Sequence, residues 1–240
     1  MSSATGNPQE FPLVSVVMGV YNAGNYLDAA VRSILEQEYP NFEFIVIDDG
    51  STDDSFAKLQ RYVVEFPQLR LIQQQNRGPA AARNTGIKAA VGKYIAIMDA
   101  DDVSDRMRLR QQVKFLETHP ECMAVGSHLE MIDPDGETIA GESGRPTEHE
   151  EILKFMMTGL GGIPNPAAMI RGDILKQVGG YDEEFPAAED LDLWFRLSEH
   201  GQLANLPEAL HQYRLHESAH GTTKLNLQNE WGKRAVLSYF

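Results

Sequence analysis

Over the first hundred positions the apolar residues fall into short, nearly unbroken runs: Leu13 to Val20, Phe42 to Ile47, Leu69 to Gln73 and Tyr94 to Met98. A strand without polar alternation is buried on both faces, the condition of a parallel sheet covered by helices on each side. Between these runs the apolar spacing turns helical. Residues 26–37 follow the turn at Tyr21-Asn22-Ala-Gly24-Asn25. Residues 55–66 carry Phe56, Leu59, Tyr62 and Val63 on one side, and Gly78-Pro79-Ala80 opens a third helix. Strand and helix alternating over short connections predict right-handed βαβ units and a doubly wound, mostly parallel sheet.

Beyond residue 105 the pattern changes. Residues 105–119 read as a helix with a Met107, Val113 and Leu116 stripe, capped by Asp102 or Ser104. Residues 124–132 and 137–140 flank Pro134-Asp135-Gly136 as a hairpin. A helix over 148–157 capped by Thr147, a strand over 167–171, a helix over 190–200 closed by Gly201, and strands over 203–206 and 209–214 complete an α+β half. The expectation is a single α/β domain over 1–240. It joins a nucleotide-binding half (11–105) to a smaller mixed α+β half (106–220) and a helical tail (221–240), behind a disordered leader.

Composition narrows the partners. A formal net charge of −14 in 240 residues repels nucleic acid phosphates, and no basic stripe offsets it. No apolar run reaches the roughly 18 to 20 residues that span a bilayer, and the polar start lacks a signal-peptide core. The cytoplasm is the expected location, with peripheral contact at the inner membrane face and subunit pairing through the 235–240 tail left open. The single cysteine, Cys122, reads as a small core residue.

Chemistry concentrates where strands end. Tyr94-Ile-Ala-Ile-Met runs straight into Asp99, Asp101 and Asp102, three carboxylates within four residues. Such charges repel unless a cation sits among them, and at the carboxyl end of a parallel strand they suit a divalent metal holding phosphate oxygens. Helix capping by solvated acids is the plainer reading of that run taken alone. Two other strands end in complementary groups, Tyr21-Asn22 and Asp48-Asp49, and all three ends share one sheet edge, along which a nucleotide could lie.

Val14-Ser-Val-Val-Met-Gly-Val-Tyr-Asn22, Ile47-Asp-Asp-Gly-Ser-Thr-Asp53, Asn76-Arg-Gly-Pro-Ala-Ala-Ala-Arg-Asn84 and Met98-Asp-Ala-Asp-Asp102 together resemble family 2 glycosyltransferases of GT-A fold. The likeness continues through Gly179-Gly-Tyr-Asp182, Ala188-Glu-Asp190 and Tyr213-Arg-Leu-His216. The resemblance implies that Asp49 or Asp48 accepts from a uracil imide, that the Val20-Tyr21 backbone and Asn22 border the base, and that Arg83 steadies the nucleotide. It implies Asp99 at the ribose or the metal shell and Asp101 on Mn²⁺ or Mg²⁺, with His216 a weaker metal or phosphate contact and Arg214 another phosphate partner. Asp102 falls to the helix start. Asp190 would be the general base and Glu189 its neighbour in the acceptor site. The family's usual Pro is replaced by Gly19.

The activity so implied is inverting transfer of a hexosyl or N-acetylhexosaminyl group from a UDP-sugar to a saccharide or lipid-linked hydroxyl, in the synthesis of cell-surface polysaccharide or glycoconjugate. A haloacid dehalogenase type phosphatase would share Asp99-Ala-Asp101, but places that motif on its first strand. A nucleotidyltransferase would open with a basic Gly-rich loop that Met18-Gly-Val-Tyr-Asn22 lacks. An inactive binding module need not keep both the strand-end acids and Asp190. Trp194 reads as core, and Gly159 to Pro166 as a loop able to shape an acceptor site.

Overall fold

A computed structural model describes residues 11–141, 145–185, 187–217 and 225–239; the expected leader lies outside them. β1 (Val14–Val20), β2 (Phe42–Asp48), β3 (Leu69–Gln73) and β4 (Tyr94–Asp99) form the parallel half of one sheet in the order β3-β2-β1-β4. Their continuous apolar runs are explained by two cores. Val14, Val16, Met18 and Val20 of β1 face one side with α1 (Leu27–Leu35), α2 (Ser55–Glu65) and α4 (Arg108–Thr118). Val17 of β1 and Ile95 and Ile97 of β4 face the other, with α3 (Pro79–Ala89). Strict alternation within a buried strand thus fills both layers.

The sheet continues without a break into the second half. β8 (Met169–Arg171) pairs antiparallel with β4 and with β6 (Cys122–Ile132), and β6 runs parallel to β9 (Gln202–Arg214). β5 (Val103–Ser104) closes the far edge against β9, while β7 (Thr138–Gly141) completes the expected hairpin on β6. α5 (His149–Met156), a 3-10 turn at Asn165–Ala167, α6 (Gly172–Gln177), α7 (Glu189–Ser198) and α8 (Leu225–Tyr239) complete the order.

Several local expectations are corrected. The two strands expected over 203–206 and 209–214 are one, because Pro207 is absorbed where the β6–β9 register slips at Ser127/His128. Neither Asp102 nor Ser104 caps α4. The chain from Val103 is drawn into the sheet by β9, and Asp105 instead accepts the Met107 N–H at 2.8 Å. Thr147 does not cap α5, whose N-cap is Glu148; the Thr147 carbonyl is taken by the Asn205 N–H. Helix α6 was not anticipated. Cys122 is buried, with its thiol pushed up to about 12 by that burial and by Glu121, and Trp194 is fully buried.

Helix α3 lies unusually close to the sheet because Gly86 faces Val17 and Ile47. A Cβ there would collide with Val17 and sit 2.6 Å from Ile47 Cδ1. Gly86→Ala is therefore expected to destabilise the fold by about 1–3 kcal/mol, read as a lower urea midpoint. Under the end of β4, the fully buried Arg108 donates to the carbonyls of Ile97 (2.8 Å) and Ala168 (3.1 Å), closing the gap where β4 and β8 part.

Candidate active site

β1 sits between β2 and β4, so the chain direction around the sheet reverses there and a crevice opens beyond the strand ends, the usual ligand position in such sheets. Three loops line it. Asn22 adopts a left-handed φ of 52°, and its side-chain oxygen accepts from the backbone of Thr52 (2.8 Å) and Asp53 (3.3 Å). Asn22 therefore ties the first loop to the second. Tyr21 beside it is half exposed, and the Val20 carbonyl accepts the Asp49 N–H at 2.8 Å.

Both acids after β2 are buried, but their employment differs. Asp49 accepts from Gln74 (2.7 Å) and from the backbone N–H groups of Arg77 (3.0 Å) and Gly78 (2.9 Å), securing the approach to α3. Asp48 has two longer contacts, Gln73 at 3.2 Å and the Ser51 N–H at 3.3 Å. Of the two, Asp48 is the less fully hydrogen-bonded.

The three acids after β4 are sorted by partners distant in sequence. Asp99 accepts from Arg83 Nη2 at 2.8 Å. Asp101 lies 2.9 Å from His216 Nε2, and its carbonyl accepts from Arg214 Nε at 2.8 Å. Asp102 is buried between His211 Nε2 (2.9 Å) and the Arg214 N–H (2.8 Å). Burial and the neighbouring acids raise the Asp101 and Asp102 carboxyls, Asp102 the more strongly, while burial holds the His211 imidazole well below its usual range. Asp102 is thus an anchor of the sheet's far edge and not a helix cap.

Arg214, expected near phosphate, spends its guanidinium on the carbonyls of Asp101, Asp133 and Pro134 and lies over the Tyr26 ring. Tyr26 also meets the His216 ring, with 4.7 Å between centroids. Tyr26 and His211 escaped the sequence reading. Only the antiparallel pairing of β5 with β9 brings His211 to Asp102, and nothing near either residue in sequence announces it.

Arg83 joins the halves. It is buried on α3, and it donates to Asp99 and, at 3.0 Å, to Glu189 at the start of α7, with the Tyr181 ring beneath it. Burial alone would lower its pKa, but Asp99, Tyr181 and Glu189 together outweigh that and raise it, so the guanidinium stays charged. Glu189 is thereby paired. Asp190 accepts from the adjacent Leu191 N–H at 2.8 Å, and burial and Glu189 push its carboxyl up to about 6. The loop at Gly161 comes close to its second oxygen.

Comparison with known proteins places this arrangement. The model of the family described as Glycosyl transferase family 2 matches residues 15–179. The chain belongs to that family. An uncharacterized glycosyltransferase of Haemophilus influenzae is 34% identical over 232 residues, covering 93% of this chain and 72% of its own. Among solved structures, S. aureus TarS 1-349 in complex with UDP-GlcNAc aligns with a TM-score of 0.72 at 22% identity, over 88% of this chain and 60% of that one. PcManGT from Pyrobaculum calidifontis, a mannosyltransferase solved with GDP-Man and Mn²⁺, aligns at 0.69 and 19% identity, over 99% and 76%. These likenesses establish the expected α/β fold of GT-A glycosyltransferases.

Among the described residues no group of three or more His, Cys, Asp or Glu side chains is arranged to hold a metal alone. Asp101 and His216 make a two-residue donor set, while Asp99 is turned toward Arg83. Such a carboxylate–imidazole pair would suit a divalent cation such as Mn²⁺ or Mg²⁺.

Proposed function

We propose that this glycosyltransferase moves a sugar from a UDP-sugar to an acceptor hydroxyl with inversion, with a divalent cation bound together with the nucleotide. The observation that carries this reading is the hydrogen-bonded line Asp99–Arg83–Glu189. It links the strand-end acids to Glu189, beside a second carboxylate, Asp190, which among the described residues has no cation at hydrogen-bond distance and whose carboxyl burial and Glu189 push up to about 6. A base poised there takes the acceptor proton at neutral pH and spreads donor and base across one crevice.

In this mechanism Asp48 and the Val20-Tyr21 backbone hold the base of the nucleotide, Asp49 and Asn22 shape their loops, and Arg83 holds Asp99 by one oxygen, leaving the other for the ribose. Asp101 and His216 would hold Mn²⁺ or Mg²⁺, which supplies charge neutralisation to the departing diphosphate. Asp190 accepts the acceptor's proton as its oxygen attacks the anomeric carbon from the face opposite the nucleotide. Attack from that side inverts the configuration. Glu189 shapes the acceptor side while paired with Arg83.

The UDP-GlcNAc complex of TarS supports a uridine donor and an N-acetylhexosaminyl or hexosyl group, and the Mn²⁺ with PcManGT supports the cation. A saccharide or lipid-linked acceptor in polysaccharide or glycoconjugate synthesis completes the proposal. No helix among the described residues is long and apolar enough to cross a membrane. Titration with UDP is expected to show binding that strengthens at least tenfold with Mn²⁺, and Asp101→Asn is expected to remove that gain. No binding with or without Mn²⁺ would overturn the donor site.

A further inference from the structure

The loop beside Asp190 is built from glycines that each meet a different element. Gly162 faces α5, where a Cβ would lie 2.6 Å from Ile152 and 2.8 Å from Met156, and its carbonyl accepts from Asn205 Nδ2 at 2.9 Å. The Gly161 carbonyl accepts from Arg145, and a Cβ on Gly161 would lie 3.4 Å from Asp190 Oδ2. Gly159, at φ +86°, meets Gly232 of α8 so closely that a Cβ on Gly232 would collide with the Gly159 carbonyl oxygen. Helix α8 is seated by Trp231 edge-on to Phe185, by Tyr239 stacked on Phe195 of α7, and by the buried Ala235.

The loop over Asp190 thus rests on the C-terminal helix through the backbone contact between Gly159 and Gly232. The loop cannot retreat toward α5, because Gly162 is already in contact there. We infer that α8 is a brace for the acceptor side of the site: Gly232, seated on Gly159, holds residues 159–163 against Asp190 and limits the access of water to its half-buried carboxylate. The inference rests on Asp190 being the base proposed above.

The ionisable groups acting on Asp190 are Glu189 on its own helix, Arg83 on α3 and the Tyr181 phenol before α7. The loop itself carries none, and α8 brings Lys233 and Arg234 next to Gly232, Arg234 lying over the Trp231 ring at 4.6 Å. Burial is the first cause of the raised Asp190 carboxyl, so loosening the brace acts on the property that makes it a base.

The test is Gly232→Ala in the full chain, with the Asp190 carboxyl followed by ¹³C NMR titration and assigned by its loss in Asp190→Asn. Its midpoint is expected to drop from about 6 toward the ordinary carboxylate range, while affinity for UDP with Mn²⁺ stays within about twofold of the parent. Should Gly232→Ala not fold, Tyr239→Ala loosens the helix without adding an atom at the contact, and the same drop is expected. A midpoint that stays near 6 overturns the brace. Because the titration needs no substrate, a drop in a protein that fails to bind UDP would leave the brace standing and remove the donor reading instead.

Discussion

Asp190→Asn is expected to lower kcat for sugar transfer by about 10²–10⁴-fold, the usual contribution of a positioned general base, with UDP affinity in Mn²⁺ unchanged. The parent's kcat/KM should show an acid limb with a midpoint of about 6, since the base form of Asp190 is lost as pH falls through its raised pKa. The stability sign is opposite to that of a paired carboxylate. With the folded pKa above the unfolded value, the unfolded chain binds fewer protons between about pH 4 and 6, so stability falls as pH rises through that window. The asparagine, free of that charge, is expected to raise stability at pH 7 by about 1 kcal/mol after discounting the partial exposure of the site. Denaturant midpoints and transfer rates on the same samples check both halves. A variant that loses stability but keeps turnover would refute the assignment.

How the site is staffed was partly readable in the chain. β1, β2 and β4 could be read because strands buried on both faces leave uninterrupted apolar runs, and the polar groups at their ends then had to share an edge. What the local sequence could not supply was the division of labour among adjacent acids. Asp99, Asp101 and Asp102 look equivalent until Arg83, His216 and His211 arrive from 16, 115 and 109 residues away. The same holds for Asp48 and Asp49, separated only by the backbone N–H groups of the loop before α3. The cap expected at Asp102 fails for a related reason: an acid three residues before an expected helix start has the same local look whether it faces solvent or a strand that pairs behind it.

Arg83→Met is expected to cost about 2–4 kcal/mol of folding stability, because it leaves Asp99 and Glu189 near each other in a partly buried space without the guanidinium that joins them. The loss should be largest at neutral pH and shrink as the medium becomes acid enough to protonate the two carboxylates, a dependence that a simple packing defect would not show. Arg83→Lys keeps the charge but not the fork. An ammonium on a shorter stem cannot reach both acids in the geometry of two separate guanidinium nitrogens, so partial stability with poor turnover is expected. Adding Glu189→Gln to Arg83→Met should restore part of the stability, since one of the stranded charges is gone, and the double-mutant cycle measures the coupling directly. Parent-like stability in Arg83→Met, within about 1 kcal/mol, would mean that the two halves are held by the continuous sheet alone. A large loss relieved by Glu189→Gln places the Asp99–Arg83–Glu189 line among the forces that set the distance between the strand-end acids and the proposed base. That distance is the one quantity the proposed inverting transfer cannot leave to a flexible loop.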